Sequence, residues 1–165
     1  MYRFFIDEKY LKYCAIDYGL DMLAAVFVAV SSSGEAFVYD EVYKSNLIVS
    51  DAASEILKKS DGVIQFIAPS DLWSRQKDSG KSIAELFSEN GVFLSKLSSD
   101  RVQGWLCLKE WLKPVTSPDG TKTAKLRIFK NCTNLLRCLP LLMHDKNACG
   151  DVSTKPHEIT HAPDA

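Results

Sequence analysis

Tyr13-Cys14-Ala15-Ile16-Asp17-Tyr18-Gly19 decides how this chain is read. A short apolar run gives way to an acid, an aromatic and a glycine, the pattern of a buried strand closing in a turn. Residues 24–30, rich in Val, Ala and Phe, predict a second strand. Ser31-Ser32-Ser33-Gly34 supplies a hairpin turn, and Ala36-Phe37-Val38-Tyr39 returns as a third strand. Three consecutive strands joined by short turns form an antiparallel meander.

Working outward, Ser50 is an N-cap candidate for a helix with Ala53, Ile56 and Leu57 on one face, closed by Lys58-Lys59-Ser60-Asp61-Gly62. Residues 63–67 (Val-Ile-Gln-Phe-Ile) then predict a nearly all-apolar strand. Because a helix leads into it, it is expected to lie parallel to an earlier strand inside the sheet. Residues 68–73 read as the loop at its C-terminal end. Ser82-Ile83-Ala84-Glu85 has capping-box spacing, and Gly91 closes that helix before a short fifth strand over 92–94. Ser98-Ser99-Asp100 caps the next helix, with Val102, Trp105, Leu106, Lys109 and Leu112 on one side and Pro114 as its stop. A hairpin follows, with its tip at Pro118-Asp119-Gly120 and its return strand over 124–129. Residues 131–139 predict a helix up to Pro140, residues 144–157 are loop-like, and Glu158 begins a final helix. This order predicts a ribonuclease H-like α/β fold: a mixed sheet of three antiparallel strands plus parallel strands, flanked by helices, with an additional β-hairpin.

The 165 residues are 46% hydrophobic and 25% charged, which suits one domain with a proper core and excludes a disordered tail, a collagen-like fibre or a disulfide scaffold. Residues 1–165 are therefore read as a single domain. The five cysteines (Cys14, Cys107, Cys132, Cys138, Cys149) are odd in number and form no C-x-x-C pair, so they are read as free thiols in a reducing compartment. No run approaches the roughly 20 apolar residues of a membrane helix, and the N-terminus, with Asp7 and Glu8, lacks a signal-peptide pattern. The expectation is a cytoplasmic protein without membrane contact. The chain stops at Asp164-Ala165 as a helix begins, so it is read as a fragment of a longer protein.

Three acids stand where regular elements begin or end: Asp17 after the first strand, Asp71 after the fourth, and Asp164 near the last helix. If the first and fourth strands are neighbours, Asp17 and Asp71 meet at one end of the sheet, and a helix packed there brings in Asp164. Clustered carboxylates repel, so such a site calls for a hard divalent metal. An Asp after a strand is equally an ordinary turn residue. His161 stands three residues before Asp164, on the same face of a helix, as a ligand, a proton shuttle or a partner orienting a carboxylate. Asp21, Asp40 and Glu41 also flank strands and are set aside on position alone. His144 and His157 read as loop residues. Ser79-Gly80-Lys81-Ser82 mimics the end of a phosphate-binding loop without its leading glycine, and no G-x-S-x-G occurs.

The formal net charge of −1 conceals an uneven distribution: residues 1–100 carry a net −5, residues 101–137 a net +6, and the remainder a net −2. Lys122, Lys125, Arg127 and Lys130 concentrate around the hairpin, and Arg75, Lys77 and Lys81 follow Asp71. Cations flanking an acidic pocket suit a site that tracks a phosphate backbone without reading sequence. A solvated charged face has the same composition.

Cys14-Ala15-Ile16-Asp17-Tyr18-Gly19, Pro69-Ser70-Asp71-Leu72-Trp73, Leu126-Arg127-Ile128-Phe129-Lys130-Asn131-Cys132 and Pro156-His157-Glu158-Ile159-Thr160-His161-Ala162-Pro163-Asp164-Ala165 together resemble the C-terminal nuclease domain of tailed-phage terminase large subunits. The last two stretches are the more specific, because that family's final helix carries a His-x-x-Asp-Ala signature. The resemblance implies a ribonuclease H-like endonuclease that cuts concatemeric double-stranded viral DNA during genome packaging. It implies two-metal hydrolysis with Mg²⁺ or Mn²⁺, Asp17, Asp71 and Asp164 as catalytic metal ligands, and His161 beside them. Its implied partners are double-stranded DNA, the portal protein, the small terminase subunit and a packaging ATPase domain absent from this chain, in the host-cell cytoplasm of a phage or prophage. Two alternatives stay open: a non-catalytic docking module of the same fold, and a nuclease resembling Holliday-junction resolvases.

Overall fold

The computed structural model describes residues 6–19, 21–77, 80–97, 100–148 and 150–165. Strands β1 (Leu11–Tyr18), β2 (Met22–Val30) and β3 (Ala36–Ser45) form the antiparallel meander. Helix α1 (Val49–Leu57) leads to β4 (Val63–Pro69), which pairs parallel to β1, and a single 3-10 turn, Ser70–Trp73, follows. Helix α2 (Ile83–Glu89) leads to β5 (Leu94–Leu97), parallel to β4 at the sheet edge. After α3 (Arg101–Leu112), the two-residue strands β6 (Val115–Thr116) and β7 (Lys122–Thr123) make a separate hairpin. Strand β8 (Leu126–Ile128) joins the main sheet parallel to β3, giving the order β5-β4-β1-β2-β3-β8. Helices α4 (Thr133–Cys138) and α5 (His161–Asp164) complete the chain.

Strand alternation sorts the core onto two faces. Cys14, Ile16 and Tyr18 of β1, with Leu23, Ala25 and Phe27 of β2, pack on Ala52, Ala53 and Ile56 of α1 and on Phe87 of α2. Val26 and Val38 face the other way, against Cys132, Leu135 and Ala162 from the α4–α5 layer. A bulge where Phe27 pairs with Asp40 but Val28 with Val38 shifts the β3 register by one residue. It lets Val42 serve the first core and Val38 the second. Asp17 lies in the alternate phase to Ile16 and Tyr18, and so on the face that carries α5.

Several boundaries differ from the sequence reading, each for a physical reason. β1 continues through Asp17 to Tyr18 because Asp17 pairs with Ala24, so the acid lies within the strand rather than closing it. β3 runs on through Asp40 and Glu41, whose charges find partners on other elements. α1 begins at Val49 with Ile48 in the N-cap position and no side-chain cap, so Ser50 lies inside it. Ala52, not Leu57, completes its buried face. β5 starts two residues late: Val92 is buried in the core and Phe93 is exposed in the connection. α3 is capped by Asp100, which accepts from the Val102 and Gln103 N–H groups, but buries none of its side chains. Ser98 and Ser99, with Ser79 and Cys149, lie outside the described residues. The single return strand expected over 124–129 is split, because 126–128 find a better partner in β3 than in the hairpin. The last helix of that region shortens to α4, and Pro140 falls in a 3-10 turn, Leu139–Leu141.

The local signals of α2 hold as read. Ser82 accepts from the Glu85 N–H while the Glu85 carboxylate accepts from the Ser82 N–H. Gly91, at φ +85°, takes the left-handed turn that lets the chain leave the helix. Among the described residues Cys14, Cys132 and Cys138 are buried and Cys107 is exposed, all unbridged. No helix among them is long and apolar enough to cross a membrane.

Candidate active site

The parallel β1–β4 pair sets the site. Ala15 registers with Ile67, so Asp17 stands level with Pro69, and Asp71 follows just beyond, exposed on the 3-10 turn. On the α5 face, the Nδ1–H of the buried His161 donates to Asp17 Oδ2 at 2.8 Å. The Asp17 carboxyl is held above its ordinary value. Burial is the main cause; the His161 hydrogen bond and charge oppose it, and the negative potentials of Asp164 and Asp71 add to it. Acids from distant parts of the chain, Asp71 and Asp164, thus lie within electrostatic range of Asp17 at this end of the sheet.

Their partners differ. The Asp164 carboxylate is taken by Arg101, the first residue of α3: Nη2 donates to Oδ1 at 3.0 Å and Nε to the same oxygen at 3.3 Å. The other His161 nitrogen, Nε2, lies 3.5 Å from Asp21 Oδ2 in ion-pair range, is sealed from solvent, and makes no hydrogen bond. Among the described residues no group of three or more His, Cys, Asp or Glu side chains converges closely enough to hold a metal ion. In kind the donors fit a hard divalent cation, since all three acids offer carboxylate oxygens. Burial chiefly raises the Asp17 carboxyl, and the nearby negative charges of Asp164 and Asp71 add a smaller push in the same direction. In arrangement, Asp164 is turned to Arg101.

The predicted cations separate into two places. Arg75, Lys77 and Lys81 belong to the loop leaving Asp71. There Arg75 Nη1 donates to the Gly80 carbonyl at 3.3 Å and Lys81 pairs with Glu89 at 2.6 Å. Arg127 registers with Phe37, which registers with Ala29 and so with Lys12. From strand spacings, that is about 20 Å from Asp17, at the opposite end of the sheet. Arg127 pairs with Glu35 and stacks on Phe37 at 5.1 Å, and Lys122, Lys125 and Lys130 are exposed along the same edge. Arg127 therefore does not flank the acids. A cavity of about 450 Å³ lined by Tyr10, Phe37, Arg127 and Phe129 lies at this far edge too.

Sequence reasoning missed Arg101 and Asp151, and set Asp21 aside on position alone. Asp21 carried a weak signal, sitting just across the β1–β2 turn from Asp17. The Arg101 contacts, 50 and 63 residues away in sequence, left none.

No protein-family model matches the sequence, and no curated protein does. Solved structures do match. The nuclease domain of the P22 large terminase aligns over 97% of this chain and 81% of its own, with TM-score 0.64 and 14% identity. The nuclease domain of the bacteriophage SPP1 large terminase (g2p), solved with bound Mn, aligns over 95% of this chain and 82% of its own, with TM-score 0.63 and 17% identity. The six-stranded mixed sheet with its flanking helices is thus the ribonuclease H-like fold of phage large-terminase nuclease domains.

Proposed function

We propose that this chain is a divalent-metal-dependent endonuclease domain that cuts concatemeric double-stranded viral DNA during genome packaging. The observation that carries this reading is Asp17: half-buried, bonded to His161, and under the field of both Asp71 and Asp164. The fold shared with the P22 domain, and with the SPP1 domain that binds Mn, supports the same reading. Asp17, Asp71 and Asp164 are the residues to hold Mg²⁺ or Mn²⁺. A pair of such ions, when bound, supplies Lewis acidity that activates water and offsets charge on the leaving oxygen.

The chain's own side chains do the rest. His161 fixes the orientation of the Asp17 carboxylate through its Nδ1–H, as outer partners of ligating groups do. Arg75, Lys77 and Lys81 meet the phosphate backbone beside Asp71, and the Lys122–Lys130 edge adds contacts further along the duplex. A packaging ATPase domain, the portal protein and the small terminase subunit are the partners this reading assigns, in the host-cell cytoplasm. A second reading, a non-catalytic docking module of this fold, draws on the lack of a converged three-acid group among the described residues.

Supercoiled plasmid nicking discriminates between the two. With Mn²⁺ or Mg²⁺ the wild-type chain converts plasmid to the nicked form, and Asp17→Asn abolishes this with its circular dichroism unchanged. Undiminished nicking by Asp17→Asn refutes the site, and an inert wild type that binds the portal supports docking. Preference for four-way junctions over linear duplex redirects the assignment to a resolvase.

A further inference from the structure

Arg101 divides its guanidinium between two acids. Nη1 donates to Asp151 Oδ1 at 2.7 Å and to the Val152 carbonyl at 3.1 Å, while Nη2 and Nε both hold Asp164 Oδ1. Its plane lies over the Trp105 ring at 5.4 Å, and Trp105 Nε1 donates to the same Asp151 oxygen at 3.0 Å. None of the α3 side chains is buried. The first turn of this helix is therefore tied down by a polar cluster rather than by a packed face, the kind of element that opens locally at low cost.

Asp164 Oδ1, with two N–H donors from one guanidinium, has its lone pairs committed. Oδ2 also accepts from Nη2 at 3.4 Å, so the Arg101 fork holds both oxygens of the carboxylate. A divalent ion recruiting this carboxylate also meets repulsion from the guanidinium beside it. We infer that Arg101 is the in-chain counter-cation of Asp164, and that a divalent ion recruits this acid by displacing Arg101 and releasing the first turn of α3. The inference rests on the metal-dependent reading above. It accounts for three acids that share one end of the sheet without forming a ligand group: the third is already neutralised from within the chain.

The test is calorimetric titration of wild type, Arg101→Gln and Arg101→Lys with MnCl₂, without DNA. Arg101→Gln removes the competitor and is expected to bind Mn²⁺ about fivefold tighter than wild type, the scale of a half-exposed ion pair. Arg101→Lys keeps the charge but not the fork, and is expected to fall between them. Since α3 buries no side chain, neither change disturbs the core, and Arg101→Lys still decides the matter if the Gln variant fails to fold. In wild type, Mn²⁺ is expected to speed amide exchange across residues 101–105. Binding by the variants equal to or weaker than wild type overturns the displacement and leaves the metal reading standing. Absence of Mn²⁺ binding by all three proteins overturns both.

Discussion

Glu41→Ala tests whether one buried carboxylate holds up the layer that carries His161. Glu41 is 8% exposed, and both of its oxygens are spent on the start of α4. Oε1 accepts from the Asn134 backbone N–H at 2.7 Å and from Asn134 Nδ2 at 2.9 Å, and Oε2 accepts from the Leu135 N–H at 3.0 Å. A six-residue helix whose N-cap position, Cys132, makes no side-chain cap bond depends on this distant acid for its first-turn donors. Truncation leaves the buried Leu135 N–H and the half-buried Asn134 N–H without acceptors, at about 1–3 kcal/mol for each orphan buried donor. Relaxation and water entry lower the sum, so the expected cost is about 3 kcal/mol. Thermal unfolding of a chain this long shifts by about 2–4 °C per kcal/mol, so Tm should fall by roughly 6–12 °C. Glu41→Gln keeps one acceptor oxygen but turns an NH₂ toward the other donors, and should fall between wild type and Ala. Urea unfolding followed by circular dichroism measures all three. Since α5 packs against α4, the Ala variant should also lose nicking activity. An Ala variant within about 0.5 kcal/mol of wild type would falsify the capping role, since an ordinary surface change costs no more.

Ser82→Ala removes the side-chain half of the α2 capping box and should cost about 1 kcal/mol, or about 2–4 °C in Tm, by differential scanning calorimetry. Lys44 and then Lys58 hydrogen-bond the Glu55 carboxyl and hold it well below its ordinary 4.5, at about 2. A carboxyl depressed on folding contributes stability that is present above its unfolded value and lost as pH falls through the folded one. The stability difference between wild type and Glu55→Gln should therefore be constant from pH 7 to about 5 and vanish between about pH 4 and 2, shrinking in high salt. Urea midpoints across that range test it, and a difference that grows on acidification contradicts the assignment.

The parts of this molecule that were legible in the sequence are those whose cause is local. The β1–β3 meander, the parallel β4 and the Ser82–Glu85 capping box each rest on residues a few positions apart. The α3 side of Val102, Trp105, Leu106, Lys109 and Leu112 could be read from helical spacing, which shows which side is apolar, not how deeply it is covered. None of its residues is fully buried, and the Trp105 indole donates a hydrogen bond to Asp151. β5 slipped because Val92 fills the core from a connection rather than from a strand. At the site, Asp17 and Asp71 were linked by one topological idea, a strand reached through a helix lying beside β1, and the register supports it. The chemical partners were invisible for the opposite reason. Arg101 on Asp164 and Trp105 on Asp151 are tertiary pairings between residues that look like ordinary surface in sequence, and the roles of Glu41 on α4 and Asp21 near His161 Nε2 could not be told from their strand-flanking positions. The strand order puts β8, with Arg127, three strands away from β1, a separation that a count of charges along the sequence does not show.

The most direct measurement is a crystal structure of the protein saturated with Mn²⁺, with anomalous scattering at the manganese edge. The account predicts manganese held by carboxylate oxygens of Asp17, Asp71 and Asp164, with Asp164 turned away from Arg101. Saturating Mn²⁺ that leaves these carboxylates without an anomalous peak, or that binds elsewhere on the chain, would contradict it.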